Sequence, residues 1–484
     1  MKKVMISALS SGSGKTTVFC GLIAALTKRG YHPAACKCGP DYIDPMFHRA
    51  VLGAYSTNLD LFLQGKEGML RSFDRSTQKG DVLLLEGAMG YFDGEGGTDK
   101  ASAFEIAKET NTPVILVVRP MGNSITLAAM IRGVMDFRSP CLIRGIILNG
   151  CKESMYNHLK PVLERECGVK VIGYLPQIPD AMIPSRHLGL VTAGEITELQ
   201  EKIEHVAAHL EQTCDLDLFL ELCEESKIGI PGLDPGGSGS DAAVSGLHSG
   251  KEAFAPLAGE TDLTTAKDKR QGSCRIAVAR DEAFCFYYED NLRRLEQAGA
   301  SLSFFSPLHD PDLPVADGIY LGGGYPELYL PELEDNHSMR KAICEQIRLG
   351  MPVIAECGGF LYLQKWVEGH EMVGLLPGEA HNTGHLVRFG YLTLAPKHSS
   401  MLFDEGEEIP AHEFHYYDCT ENGEDLLAKK TSDKIWECGF CTDRMYAGFP
   451  HLNFEGKTDL AGRFVKKAMI YRMEKEQRHE RDTK

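Results

Sequence analysis

One stretch near the N-terminus constrains the fold more than any other: residues 10–17 read Ser-Ser-Gly-Ser-Gly-Lys-Thr-Thr. An apolar run at residues 4–9 precedes it, and apolar residues recur with helical spacing over residues 18–26. A buried strand, a glycine-rich turn and a helix in this order form the context that a phosphate-binding loop requires. The glycines let backbone N–H groups approach an anion, and the helix N-terminus adds partial positive charge. The stretch therefore predicts a nucleotide site.

Six residues of this loop are candidate nucleotide ligands. The Lys15 ammonium can reach the outer phosphates, and the Thr16 hydroxyl can ligate Mg²⁺. The full set is Gly12, Ser13, Gly14, Lys15, Thr16 and Thr17. A nucleotide site identifies a source of chemical energy but not the reaction, so the reaction must be sought in the rest of the chain.

The composition excludes several classes of protein. At 484 residues, 43% of them hydrophobic, the chain is expected to form two or three globular domains. The formal net charge of −17 argues against nucleic acid or a membrane as partner, since either favours a basic face. The 15 cysteines lack the paired spacing of a zinc site, because Cys438 and Cys441 form a lone Cys-x-x-Cys. No apolar stretch is long enough for a signal peptide or membrane span, so a cytoplasmic protein is expected.

Residues 1–227 alternate short apolar runs with helical segments. The nearly continuous Val, Ile and Leu of these runs indicate strands that are covered on both faces, as in a mainly parallel sheet. We therefore predict a doubly wound nucleotide-binding domain over residues 1–227. The runs lie at residues 4–9, 82–85, 114–118, 146–148 and 171–174.

Acidic residues follow the predicted strands of this half. Asp41 and Asp44 lie in a loop interrupted by Gly and Pro, and Asp93 lies in a second glycine-rich loop. Glu86 ends a buried strand, a position from which a carboxylate can meet a metal held by Thr16. Since ligands collect at the carboxyl ends of parallel strands, we expect these acids to surround the phosphate-binding loop and to handle Mg²⁺ or substrate.

Residues 228–272 are rich in Gly, Ser, Asp and Ala and predict a flexible linker. A second α/β pattern follows over residues 273–484, where a strand at residues 353–356 runs into Cys357 and a helix. A strand-to-helix turn exposes a nucleophile beside backbone N–H groups, so Cys357 is a candidate catalytic thiol.

The thiol needs an oxyanion site and a base. Gly323 and Gly324 end another predicted strand and offer backbone N–H groups to an oxyanion. His451 closes a further strand-like segment and is the candidate base for Cys357. With 17 histidines in the chain, spacing alone favours His451 only weakly over the others.

The chain resembles the cobyrinate a,c-diamide synthases, a family of cobalamin-pathway amidotransferases with an ATP-dependent synthetase half and a class I glutaminase half. The most specific motifs are Asp-Tyr-Ile-Asp at residues 41–44 and Ala-Arg-Asp-Glu-Ala-Phe-Cys-Phe-Tyr at residues 279–287. The resemblance covers nearly the whole chain. Its segments are residues 10–17, 37–48, 86–94, 277–291, 321–328, 355–363 and 412–416.

The resemblance implies the fold, the reaction and the site residues. A P-loop domain is followed by a glutamine amidotransferase-like α/β domain over residues 273–484. Cys357 attacks glutamine and releases ammonia, while the first half uses ATP and Mg²⁺ to phosphorylate the a- and c-acetates of a corrinoid. A closed interface between the halves is expected, since ammonia must pass between the two sites. Substrate handling is carried over to Asp41, Tyr42, Ile43, Asp44 and Asp93.

The chain departs from class I glutaminases at one catalytic position. These enzymes commonly place a Glu two residues after the His, where this chain has Asn453, so a dyad of Cys357 and His451 is expected. Glu455 is a weaker candidate for orienting His451. The expected partners are a corrinoid polycarboxylate, L-glutamine and ATP; homodimerisation stays open.

The sequence leaves two alternatives to cobyrinate amidation open. The same chemistry could act on hydrogenobyrinate or on nickel sirohydrochlorin. In a different class, the chain could be a regulatory P-loop ATPase whose glutaminase-like half only binds.

Overall fold

The computed structural model describes residues 1–178, 193–225 and 274–482. The predicted linker at residues 228–272 lies outside these ranges. Within them, no helix has both the length and the apolarity needed to cross a bilayer.

The first half is built on a parallel sheet with the strand order β3-β2-β4-β1-β5-β6-β7, as the apolar runs predicted. A short antiparallel strand, β8, pairs with β1. The central strands β1, β4 and β5 are almost completely buried because helices cover both faces of the sheet. The strands are β1 (Lys2–Ala8), β2 (Pro33–Cys38), β3 (Ser56–Leu59), β4 (Val82–Glu86), β5 (Val114–Val118), β6 (Ile143–Asn149), β7 (Lys170–Leu175) and β8 (Glu224–Glu225).

The helices of this half pack on both faces of the sheet. The sheet thus separates two apolar clusters, one on each of its faces. The helices are α1 (Lys15–Lys28), α2 (Ile43–Ala50), α3 (Gly65–Ser76), α4 (Ala103–Glu109), α5 (Ile125–Phe137), α6 (Glu153–Cys167), α7 (Ala193–Thr213) and α8 (Leu216–Leu222).

The second half contains another α/β sheet, with the order β11-β9-β12-β14-β24-β23. All pairings in it are parallel except that of β23 with β24. The strands of this sheet are β9 (Cys274–Ala279), β11 (Ala300–Phe305), β12 (Gly318–Leu321), β14 (Val353–Glu356), β23 (Phe440–Cys441) and β24 (Met445–Gly448). Two further strands, β10 (Phe284–Phe286) and β13 (Gly323–Gly324), pair with each other as a separate antiparallel sheet. The helices are α9 (Glu289–Gln297), α10 (Leu330–Asp335), α11 (His337–Arg348), α12 (Gly358–Leu363) and α13 (Leu460–Asp482).

Further strands that follow α12 and pair mostly antiparallel were not predicted from the sequence. They form the sheets β16-β15-β17-β20 and β22-β21-β18-β19-β25. In β18 and β19, buried side chains alternate with more exposed ones, so no continuous apolar run marks these two strands. The strands of these two sheets are β15 (Trp366–Val367), β16 (His370–Glu371), β17 (Glu379–Asn382), β18 (Arg388–Pro396), β19 (Ile409–His415), β20 (Tyr417–Cys419), β21 (Leu426–Lys429), β22 (Ile435–Cys438) and β25 (His451–Leu452).

A buried ionic cluster joins the two halves. Arg75 of α3 donates to Asp290 at 3.0 Å and to Glu455 at 2.8 Å, and Arg293 also donates to Glu455. Asp290 and Glu455 are only 3% and 1% exposed. Burial alone would raise the pKa of Asp290, but the charges of Arg75 and Arg293 lower it. Because buried charges need their partners, the cluster fixes how the halves dock.

An aromatic contact reinforces the same interface. The Tyr42 ring stacks on Phe286 and on Tyr288, with centroid distances of 5.2 Å and 4.3 Å. Nearby, the Tyr391 hydroxyl donates to Asp60 at 2.7 Å. The expected closed interface between the halves is therefore present, and it places the carboxyl edges of the two parallel sheets face to face.

Candidate active site

The phosphate-binding loop connects β1 to α1, which begins at Lys15. Gly12 and Gly14 have φ angles of 75° and 84°, which favour glycine. A side chain at position 14 would also come within 2.0 Å of the Asn149 amide nitrogen, which donates to Ser13 O at 2.9 Å. Asn149, at the end of β6, thus supports the loop, and the sequence analysis did not identify it.

The Lys15 ammonium lies inside the site and donates to the carbonyl oxygens of Ser10 and Met89. Burial, and secondly the nearby charge of Lys37, lower the pKa of Lys15 to about 8. The Thr16 hydroxyl donates to Glu86 Oε1 at 2.6 Å. The predicted pair Thr16 and Glu86 is therefore in direct contact.

A second buried ionic cluster, formed by Lys37, Asp44, His48 and Glu86, lies beneath the phosphate-binding loop. Lys37 Nζ is 2.5 Å from Asp44 Oδ2 and 3.2 Å from Glu86 Oε1, and His48 Nε2 is 3.4 Å from Glu86 Oε2. Burial alone would raise the pKa of Glu86, but Lys37 and His48 lower it and keep the carboxylate charged. Lys37 and His48 were not predicted as site residues, since polar side chains within a strand or helix carry no local motif.

The donors at this position fit Mg²⁺. Thr16 and Glu86 carry the hard oxygen atoms that Mg²⁺ prefers; Thr16 lines the cavity described below, and Glu86 lies directly behind it. Among the described residues, no three His, Cys, Asp or Glu side chains are arranged to hold a metal by themselves. Phosphate oxygens and water would therefore complete the coordination, as is usual for Mg²⁺.

Of the predicted substrate residues, Asp41 and Asp93 lie on the rim above this cluster, whereas Asp44 belongs to the cluster itself. Asp41 Oδ1 accepts from the backbone N–H groups of Ile43 and Asp44, at 2.7 and 3.1 Å, and so initiates α2. Asp93 is exposed, and its Oδ2 accepts from Gly90 N at 2.9 Å. Each acid thus shapes its own loop and still faces the cavity described below.

Cys357 occupies the turn between β14 and α12 with φ 49° and ψ −101°. A positive φ is rare for a residue with a side chain, so the backbone of this turn is strained. Its backbone N–H donates to Gly448 O at 2.8 Å, which ties the turn to β24. The sequence-predicted strand-to-helix turn is therefore present.

His451 is 3% exposed and lies at the start of β25. Burial alone would lower its pKa, but interaction with the Cys357 thiol and then with Glu356 raises the pKa of His451 to about 10. A side chain at Gly323 would come within 2.6 Å of the His451 ring, so Gly323 allows the ring to approach. Gly324, not Gly323, lines the cavity beside Cys357.

A cavity of about 1140 Å³ connects the two candidate centres. Ser13, Glu86 and Gly323 of the predicted residues do not line it, and Glu86 is completely buried beneath Thr16 and Lys37. Both halves therefore contribute to a single chamber. The predicted residues that line it are Gly12, Gly14, Lys15, Thr16, Thr17, Asp41, Tyr42, Ile43, Asp44, Asp93, Gly324, Cys357 and His451.

Comparisons with known proteins find a match to a different domain family in each half of the chain. Residues 4–191 match the model of a CobQ/CobB/MinD/ParA nucleotide binding domain, and residues 275–459 match a CobB/CobQ-like glutamine amidotransferase domain.

Full-length relatives have one name in common. A cobyrinate a,c-diamide synthase of Clostridium tetani is 37% identical over 96% of this chain and 100% of its own length. The Listeria innocua protein of that name is 38% identical over 94% of this chain and 96% of its own length. The Thermoplasma volcanium one is 34% identical over 98% of this chain and 99% of its own length. The chain belongs to the cobyrinate a,c-diamide synthase family, in which a nucleotide-binding half is joined to a glutamine amidotransferase half.

Proposed function

We propose that the chain uses ATP and glutamine to convert the a- and c-acetate carboxylates of cobyrinate to amides, as a step of cobalamin synthesis. The observation that carries the proposal is the shared chamber: a phosphate-binding loop and a strained cysteine turn face one cavity. The names of the full-length relatives support the choice of substrate.

In the synthetase half, the carboxylate of the substrate attacks the γ-phosphorus of ATP, and ADP leaves. The product is an acyl phosphate, whose phosphate is a better leaving group than oxide. Lys15 and the N–H groups of the loop bind and orient the phosphates. Bound Mg²⁺, held by Thr16 and Glu86, would neutralise charge on the phosphate oxygens. Lys37 holds Glu86 and Asp44 in place, and Asp41 and Asp93 position the substrate.

In the glutaminase half, the proton of the Cys357 thiol passes to His451, whose raised pKa favours the imidazolium, and the sulfur then attacks the side-chain amide carbon of glutamine. The N–H group of Gly324 is offered to the developing oxyanion. His451 returns the proton to the amide nitrogen, ammonia leaves, and water hydrolyses the thioester to glutamate. Ammonia then displaces phosphate from the acyl phosphate inside the chamber.

A row of aromatic side chains on β18, on β19 and directly after β19 supports a substrate with a large, flat ring. Phe389, Phe414 and Tyr416 line the chamber and are 53%, 46% and 46% exposed. Exposed aromatic faces of this kind suit the flat surface of a macrocycle. The row does not distinguish a cobalt ring from a nickel or metal-free ring.

Phosphate release measured with cobyrinate, hydrogenobyrinate and nickel sirohydrochlorin tests the proposal. We expect the highest kcat/KM with cobyrinate and mass increments that correspond to two amides. Equal or better turnover with another ring would replace the substrate but keep the mechanism. ATP hydrolysis that no ring stimulates would instead favour the regulatory ATPase.

A further inference from the structure

The expected catalytic dyad leaves one nitrogen of His451 to be explained. A base must hold its proton on the ring nitrogen that faces away from the nucleophile, and a carboxylate commonly fixes that arrangement. At the usual position of this acid the chain has Asn453. Asn453 Oδ1 accepts from Glu455 N at 3.0 Å, and Glu455 pairs with arginines of the interface. Neither residue is directed to His451.

A different carboxylate lies beside the ring. Glu356, the residue directly before Cys357, places Oε2 at 3.9 Å from His451 Nδ1. Both groups are buried, with Glu356 at 1% and His451 at 3% exposure. Since Nδ1 faces Glu356, Nε2 is the nitrogen left for the Cys357 thiol. Within the described residues, His451 Nδ1 is a buried atom with no hydrogen-bond partner, and a modest movement would give it one.

Other contacts hold the Glu356 carboxylate in this direction. Its Oε1 accepts from Leu452 N at 2.9 Å, and its Oε2 accepts from the Tyr320 hydroxyl at 3.0 Å. Leu452 follows His451 on β25, so the same carboxylate contacts the strand that carries the base. These hydrogen bonds stabilise the charged carboxylate inside the protein.

The remaining titratable groups around the ring do not offer the same geometry. His412 pairs with His451 across β19 and β25, and burial lowers the pKa of His412 to about 3, which leaves it neutral. Glu413 is also buried, but its charged partner is Arg388 at 3.8 Å. Glu356 is therefore the acid best placed to act on Nδ1.

We propose that Glu356 is the positioning residue of the glutaminase centre and replaces the acid that usually follows the histidine, an inference that rests on the proposed glutaminase step but not on the macrocycle. The carboxylate holds the proton of His451 on Nδ1, which leaves Nε2 to accept the Cys357 proton. The carboxylate also offsets the positive charge of the imidazolium that forms. Because it precedes Cys357 in β14, one short segment supplies both the nucleophile and the acid.

Glu356→Gln tests the proposal in the full-length chain. The amide keeps the shape of the side chain, but it can donate to Nδ1 and so favours the wrong tautomer. We expect kcat for glutamate release from glutamine to fall about 100-fold with little change in KM. Labelling of Cys357 by 6-diazo-5-oxo-L-norleucine, followed by peptide mass spectrometry, should slow to a similar extent. This labelling requires no corrinoid, so it also reads out if the proposed substrate is wrong.

Three controls separate positioning from folding. Amidation driven by free ammonium should remain near wild type in Glu356→Gln, because the synthetase half does not use this carboxylate. Glu356→Asp keeps the charge and should recover about 10-fold of the lost rate. Glu413→Gln removes another buried carboxylate near the ring. Because Glu413 is not placed beside His451 Nδ1, this change should alter the labelling rate by less than about 3-fold.

Two results would overturn the proposal. One is a rate of Cys357 labelling in Glu356→Gln within about 2-fold of wild type, a difference on the order of experimental scatter. The other is equal slowing in Glu356→Gln, Glu356→Asp and Glu413→Gln, which would indicate packing rather than positioning. If Glu356→Gln fails to fold, the labelling of Glu356→Asp over a range of pH decides: an unchanged rate and profile would count against Glu356.

Discussion

The nucleotide centre and the glutaminase centre use the same local architecture but shift the pKa values of their basic side chains in opposite directions. Each lies at the carboxyl end of a parallel sheet, where a strand turns sharply into a helix. Burial and Lys37 lower the pKa of Lys15 to about 8. At the other centre, the pKa of His451 rises to about 10, because Cys357 and Glu356 more than offset its burial.

The pKa shifts differ because the two basic side chains have different anionic partners. Asp44 and Glu86, the buried carboxylates of the nucleotide centre, are already paired with Lys37 and His48, so we expect the strongest anionic partner of Lys15 to be a bound phosphate. The glutaminase centre carries its own anion beside His451. Lys15 is thus prepared to bind a charged substrate, whereas His451 is prepared to exchange a proton within the protein.

Cys357→Ala and Lys15→Ala should separate the two centres most sharply. Without the thiol, glutamine-driven amidation should fall by about 10⁴-fold or more, while ammonium-driven amidation continues. Without Lys15 or with Asp93→Asn, both nitrogen sources should fail, since no carboxylate is activated. Amide formation followed by mass spectrometry with each nitrogen source gives the result. Full glutamine-dependent activity in Cys357→Ala would contradict the assignment of the nucleophile.

Lys37→Met should damage the nucleotide centre and the fold together. It leaves Asp44 and Glu86 buried without their cation, which costs about 3–5 kcal/mol of unfolding free energy. Urea unfolding measures this loss, and amidation should fail with both nitrogen sources. Lys66→Met, which removes an exposed pair with Glu109 at 2.6 Å, is the matched control and should cost about 1 kcal/mol or less. Equal stability of the two variants would show that the buried cluster is not structural.

The sequence predicted most of the features of the two centres that depend on residues close together in the chain. The phosphate-binding loop, the cysteine turn and the parallel strands each carry their signal within about ten residues of chain. The parallel architecture and the family are confirmed. The positions of Asp41, Asp44 and Glu86 around the loop followed from the rule that parallel strands end at one edge.

What the sequence did not predict depends on contacts between distant segments. Lys37 and His48 acquire their roles only when β2, α2 and β4 meet around Glu86. Glu356 is adjacent to Cys357 in sequence, but its relation to His451 depends on β14 lying next to β24 in the sheet. The antiparallel strands were missed for a different reason, because alternation in short runs is a weak signal.

Glu455→Gln should uncouple the two centres without removing either. The substitution keeps the shape of the side chain but removes the charge that Arg75 and Arg293 share across the interface. We expect about 2 kcal/mol or more to be lost from the docking of the halves. The ratio of amide formed to glutamate released should therefore fall, as ammonia escapes. Asp404→Asn, which affects an exposed pair with Arg463 within one half, should leave the ratio unchanged.

The opposite pKa shifts also predict a pH dependence for nucleotide binding. Below pH 8, Lys15 is already charged in the free protein, so binding requires no proton. Above pH 8, phosphate must bind together with a proton, and ATP affinity should fall by up to about 10-fold per pH unit until the pKa in the complex is reached. Calorimetric titration from pH 7 to 10 measures both affinity and proton uptake. Lys15→Arg, which stays charged, should show a flat profile; a slope equal to wild type would contradict the assignment to Lys15.

The smallest expected effect lies at the interface, where Tyr391 of the glutaminase half donates to Asp60 of the synthetase half. Burial raises the pKa of Asp60 to about 6, and the tyrosine hydroxyl limits this rise by stabilising the charged form. Tyr391→Phe should therefore cost about 1 kcal/mol at pH 7, where Asp60 is ionised in both variants. Because the Tyr391 hydroxyl stabilises the charged form of Asp60, the variant's deficit should shrink as the pH falls through about 6, where Asp60 becomes protonated in the folded state of both proteins. Urea unfolding at pH 4 and pH 7 provides the comparison, and a deficit independent of pH would assign the role of Tyr391 to packing on Phe62 rather than to its hydrogen bond.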